Sequence, residues 1–200
     1  MSTPTSYHRI AKFFLKAISA LGSVDGSQIV EFAVTLPLLM VFVVAIGDFG
    51  GAITLKHKLN NAAREGARFG SNQPTADLYG ATTPPSVDEI AQLVGSYLQA
   101  ARANDCGMAT KAWTVTARPA PLAWTYKANS CELTVTIDRG YPVPAGTGGT
   151  NTPKYMIGTR VTIDYPYAWQ FNRVIGLIAP GANYAGPSPI KSDATLPNLM

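Results

Sequence analysis

Charge is scarce in this sequence, and so are the side chains that do chemistry near neutral pH. Charged residues make up 14% of the 200 positions, and there are only two histidines and two cysteines. The formal net charge of +4 is not gathered into a basic stripe. That argues against nucleic acid as a partner, because phosphate binding needs clustered Lys and Arg. His8 and His57 lie far from each other and from Cys106 and Cys131, so ligand spacing for a metal is missing and no metal or other cofactor is expected. A Ser-His-Asp or Cys-His nucleophile would have to recruit one of those two histidines. The run Gly146-Thr147-Gly148-Gly149-Thr150 lacks the Lys-Ser/Thr ending of a phosphate loop and reads as a flexible turn. No internal repeat is present. These absences point away from an enzyme.

What the sequence has instead is one long apolar run. From Phe32 to Leu55 it reads FAVTLPLLMVFVVAIGDFGGAITL, and about 20 helical residues cross a hydrocarbon core of about 30 Å. Composition and length favour a membrane span in the lipid bilayer over a buried core helix. Pro37 removes one backbone donor and predicts a kink near the start. Asp48 is the one charge in the run, about 25 Å along the helix from Glu31, where a carboxylate reaches headgroups or water. Ahead of the span, Arg9, Lys12 and Lys16 interleave with apolar residues as in a basic amphipathic helix on a membrane surface. The run Val24-Asp25-Gly26-Ser27 is expected to break that pattern. Positive charges flank both ends of the span (Lys56, Lys58, Arg64 and Arg68 follow it), so they do not decide its orientation.

Beyond the bilayer the helix is expected to continue to about Gly70, with Asn72 and Pro74 as stop signals. Ala62, Ala63, Gly66, Ala67 and Gly70, with Gly47 and Gly51, are small residues at helical spacing that permit close packing. Packing on the chain's own sheet and packing between subunits are equally served by such a surface. A second helix is expected from a capping box at Ser86 and Glu89 to about Asn104. Alternating segments then predict strands over Ala112–Arg118, Leu122–Lys127, Cys131–Asp138 and Tyr155–Tyr165, with a loop from Pro142 to Pro153. The expected fold is α+β: the long helix continues into a small domain with a second helix and a three- or four-stranded antiparallel sheet. Tyr165, Tyr167 and Trp169 read as core or surface packing. Phe171–Ala179 is apolar but short for a second span, and one last weak strand is allowed beyond Pro180. Cys106 and Cys131 either pair, closing a loop of roughly 25 residues, or remain separate thiols; pairing implies a compartment outside the cytoplasm.

The junction Gly26-Ser27-Gln28-Ile29-Val30-Glu31-Phe32 stands immediately before the apolar run. Glycine, four residues, Glu-Phe and an apolar helix resembles a type IV prepilin processing site. The longer stretch GSQIVEFAVTLPLLMVFVVAIGDFGGAI, followed by NNAAREGARFG, resembles the TadE-like pseudopilins of the tight-adherence pilus system. The resemblance implies cleavage by a prepilin peptidase after Gly26, with Ser27 as the new N-terminus and Glu31 as its fifth residue. It divides the chain into a leader (1–26), a transmembrane and juxtamembrane helix (27–70) and a periplasmic domain (71–200). It also implies a minor, pilin-like component of the bacterial inner membrane, working with other pilins or pseudopilins and the assembly platform. The alternatives are an uncleaved envelope anchor, and a membrane-tethered hydrolase or ligand-binding module.

Overall fold

The computed structural model describes residues 24–79, 82–117, 119–147, 153–171, 181 and 188–199. The basic leader residues Arg9, Lys12 and Lys16, His8, and nearly all of the apolar segment Phe171–Ala179 lie outside them. Helix α1 runs from Val24 to Ser71 and takes in Val24–Ser27; the leader pattern that this run is expected to break lies outside the described residues. A single glycine inside a helix costs only about 1 kcal/mol, too little to end one. Two compact units divide the chain: Met1–Asp48 with Gln170–Tyr184, and Phe49–Trp169 with Ala185–Met200.

In the first unit, α1 presents apolar side chains to its surroundings on every side. Ile29, Phe32, Leu39, Phe42 and Ile46 are all exposed. The helix is long and apolar enough to cross a membrane, and none of its most apolar stretch is buried. Asp48 is the exception: its side chain is only 6% exposed, and its Oδ2 accepts the backbone N–H of Phe171 at 2.9 Å.

The second unit is an α+β domain. Its sheet has five antiparallel strands in sequence order: β1 (Trp113–Ala117), β2 (Ala123–Ala128), β3 (Thr134–Thr147), β4 (Pro153–Tyr165) and β5 (Ile190–Pro197). The fifth strand raises the count above the three or four expected. Helix α2 spans Pro85–Ala100, ending before Asn104. Inward side chains alternate along the strands, with Trp124 opposite Ile137, Tyr126 opposite Val135 and Ile137 opposite Val161. They meet Leu59, Ala62, Ala63 and Ala67 of α1 and Val87, Ile90, Ala91, Val94 and Leu98 of α2 in one core. A sheet with one apolar face is closed in this way by helices on that face.

Two local expectations change. The Ser86/Glu89 capping box does not form, because α2 starts at Pro85 and its N-cap Pro84 makes no side-chain cap. Asp77 serves instead: its carboxylate accepts the Ser86 N–H at 2.8 Å and the Ser86 hydroxyl at 3.0 Å. A carboxylate there both satisfies an orphan donor and meets the positive end of the helix dipole. The loop expected from Pro142 to Pro153 is shorter, because β3 continues to Thr147 and pairs with β4 as far as Thr147↔Pro153. Pairing of β3 with β2 stops at Asp138. Past that point β3 is an edge, where Pro142 and Pro144 tolerate having no N–H to donate.

Cys106 and Cys131 form a disulfide across 25 residues, tying the turn after α2 to the β2–β3 connection. The Ser130 hydroxyl donates to the Cys106 carbonyl at 2.7 Å and reinforces the same junction. Replacing both cysteines by serine is expected to cost about 3 kcal/mol, from the chain entropy returned to the unfolded state. Denaturant melts of the detergent-solubilised protein with and without reductant test this; identical midpoints would count against it.

Candidate functional site

Gly26, Ser27, Val30, Glu31, Val34 and Thr35 lie along one face near the start of α1 and flank a shallow groove. Ser27 and Glu31 are exposed and Gly26 is half-buried. Ser27 and Glu31 are four residues apart, so they fall on the same face one turn apart. The Thr35 hydroxyl donates back to the Glu31 carbonyl at 3.0 Å. Chemically this is a helix end carrying a carboxylate one turn beyond a small residue, with no side chain at position 26 to obstruct an approaching protein.

The small residues of α1 separate into two groups. Ala63 and Ala67 are fully buried in the domain core. A Cβ on Gly66 would stand 2.7 Å from the Val94 side chain, and one on Gly70 would stand 2.7 Å from Thr159 and 2.9 Å from Ile90. Those four positions are occupied by the chain's own second helix and sheet. Gly47 differs: it is exposed, and a Cβ there would meet nothing within 4 Å. At Gly51 the neighbour is the Tyr167 hydroxyl, 3.1 Å from where a Cβ would stand.

Two polar side chains that sequence reasoning did not single out are buried in the domain. Arg139 is 1% exposed, and its Nη2 donates to the Gln73 carbonyl at 2.8 Å. It borders a cavity of about 560 Å³, lined also by Leu78, Tyr79, Leu122, Ile157 and Leu199. Burial pushes its guanidinium below the ordinary value, and the charge of Asp77 works in the opposite sense. An inward-pointing charge in an alternating strand pattern was the available signal.

Tyr126 is the other, and its hydroxyl donates to Asp88 at 2.8 Å. Burial, then that hydrogen bond and the carboxylate's charge, hold its phenol well above the ordinary 10.0. The folded chain therefore keeps this proton more tightly than the unfolded chain. The resulting stabilisation is complete below pH 10 and is lost as pH rises beyond it. Tyr126→Phe is expected to cost about 2 kcal/mol at pH 7. The difference from the parent should shrink by about 1 kcal/mol by pH 11. Melts at a series of pH values measure it, and a gap constant to pH 11 would count against the assignment.

Among the described residues, no three or more His, Cys, Asp or Glu group together in a way that could hold a metal ion. His57 is exposed. No curated protein and no solved structure matched the chain. Residues 26–68 match the profile of the family described as TadE-like protein. The matched stretch begins at Gly26 and ends within the packed small-residue face, so it contains the groove at the head of α1 and the whole apolar run. Over residues 26–68, about a fifth of its length, the chain is similar to the TadE-like protein family.

Proposed function

We propose that the chain is a minor, pilin-like structural component of a tight-adherence pilus, without catalytic activity of its own. A prepilin peptidase cleaves it after Gly26 on the cytoplasmic side. The apolar part of α1 then holds it in the bacterial inner membrane, with the disulfide-bonded domain in the periplasm. The observation that carries this reading is the coincidence of the TadE-like match with a processing-type junction at the head of an exposed apolar helix. The disulfide supports the periplasmic side, since such bonds persist in oxidising compartments.

Cleavage would leave the Ser27 amine and the Glu31 carboxylate as opposite charges on one helix face. Paired between neighbouring subunits, they offset much of the cost of keeping either charge in an apolar bundle. Gly47 provides a second contact point, because nothing among the described residues lies within 4 Å of a Cβ placed there. The partners are therefore the peptidase, other pilins or pseudopilins, and the assembly platform.

Intact mass and N-terminal sequencing of protein extracted from its native membranes test the reading. A chain starting at Ser27 is the expected result. A chain that keeps residues 1–26 in cells with active peptidase would leave an uncleaved envelope anchor in its place.

A further inference from the structure

The exit from the last long strand of the sheet returns to α1 and builds an aromatic cluster on it. Strand β4 ends at Tyr165, and the chain then passes through Pro166, Tyr167, Ala168 and Trp169 without regular structure. Trp169 meets Phe49 edge-on, with ring centroids 5.4 Å apart and planes at 61°. Tyr167 meets Trp169 at 4.9 Å and 80°. The Tyr167 hydroxyl lies over Gly51, where a Cβ would stand 3.1 Å away, so a larger residue at that position would push the ring off the helix. Three rings from two distant parts of the chain are thus gathered on one turn of α1.

The position of that turn along the helix is informative. Before it, from Leu36 to Gly47, every residue of α1 is apolar, with Phe42 61% and Ile46 72% exposed. After it come Thr54, Lys56, His57 and Lys58, where hydrogen-bonding and charged groups begin. Phe49 itself remains 48% exposed, which a core aromatic would not be. From Glu31 to Phe49 the helix rises about 27 Å at 1.5 Å per residue. That is close to the hydrocarbon thickness of about 30 Å. Tyrosine and tryptophan combine an apolar body with a polar edge, and they concentrate where acyl chains give way to headgroups.

We propose that Phe49, Tyr167 and Trp169 form a collar seated in the headgroup region of the bilayer, on the side opposite the Gly26 junction. The collar sets how far α1 is drawn into the membrane, and it assigns Gly51 to seating Tyr167. The inference rests on the reading of α1 as a membrane anchor.

Tryptophan quenching in phosphatidylcholine vesicles tests it with the full chain. One set of vesicles carries a nitroxide quencher near the headgroup, and another carries bromine at mid-chain. Trp124 is fully buried and Trp113 half-buried in the domain, so the difference between the parent and Trp169→Phe isolates Trp169. The shallow quencher is expected to reduce parent emission at least twice as strongly as the deep one, and Trp169→Phe should lose most of that reduction. A Phe42→Trp change in the Trp169→Phe background reports on the anchor itself and should be quenched mainly by mid-chain bromine. If Phe42→Trp is quenched and Trp169 is not, the collar is wrong while the anchor stands. If neither is quenched, the anchor and the collar fall together.

Discussion

Gly26→Trp is expected to keep its leader. In cells with an active prepilin peptidase, the parent should be recovered beginning at Ser27, and the variant should retain all 26 preceding residues. The expected loss of processing is essentially complete, because an indole replaces a hydrogen at the position next to the bond to be cut. The folded domain should be unaffected, since the substitution falls on the helix end and none of the domain core residues comes from that part of α1. Glu31→Ala should separate the two roles of the junction. Its mature mass should match the parent's, while its recovery in pili or in complexes with other pilins should fall several-fold. That outcome follows if the carboxylate pairs with the new amine of a neighbour, where the loss of one partner strands the other charge in an apolar bundle. A Gly26→Trp protein that matured to the parent mass would remove processing from the account.

The second large effect is expected at Gly95. A Cβ there would stand 2.4 Å from the Ala109 backbone nitrogen and 2.6 Å from the Met108 carbonyl carbon. Neither is the end of a flexible side chain, so the turn after α2 would have to move as a body. Over-packing costs about 1–3 kcal/mol, and the upper end of that range is expected where backbone must shift. Gly95→Ala should therefore lower the melting temperature by about 10 °C, at a few degrees per kcal/mol, or fail to fold. Gly66→Leu should be as damaging, because the 2.7 Å approach of Val94 leaves no volume for a side chain. Gly47→Leu is the contrast. Nothing among the described residues lies within 4 Å of its Cβ position, so melting should stay within about 0.5 kcal/mol of the parent. Any loss in pilus incorporation by Gly47→Leu would then come from contacts between chains. A Gly95→Ala protein melting with the parent would show that the turn after α2 yields more easily than its backbone contacts suggest.

Much of the architecture was legible because it rests on patterns with a local physical cause. The apolar run, its continuation into a helix with a small-residue face and the alternating strands all follow from the periods of helix and strand. The misjudged parts share a different origin. Ser86 carries a capping signature, yet the cap comes from Asp77, nine residues earlier, brought there by a turn no local rule foretells. Pro142 and Pro144 normally signal a loop, but here they lie where β3 has lost its β2 neighbour. Strand β5 is weakly patterned by itself. It is held by pairing with β4 from Gly158↔Pro197 to Tyr165↔Ile190, and by the Ser192 hydroxyl bonding to the Asn60 side chain on α1.

The sequence alone determined the anchor-like helix and the α+β class, and it carries the Gly26–Phe32 motif on which the proposed processing rests. Each is written in residues adjacent along the chain, through hydrophobic length, periodicity and a short motif. Only the tertiary structure decided which small residues are already occupied. Gly66 and Gly70 look the same as Gly47 along the helix, but the first two are covered by α2 and the sheet. It also decided that Cys106 and Cys131 meet, that Arg139 points inward, and that Tyr167 and Trp169 return to Phe49 and Gly51. These are contacts between residues far apart in the chain, and their geometry exists only once the helices and the sheet have closed on one another.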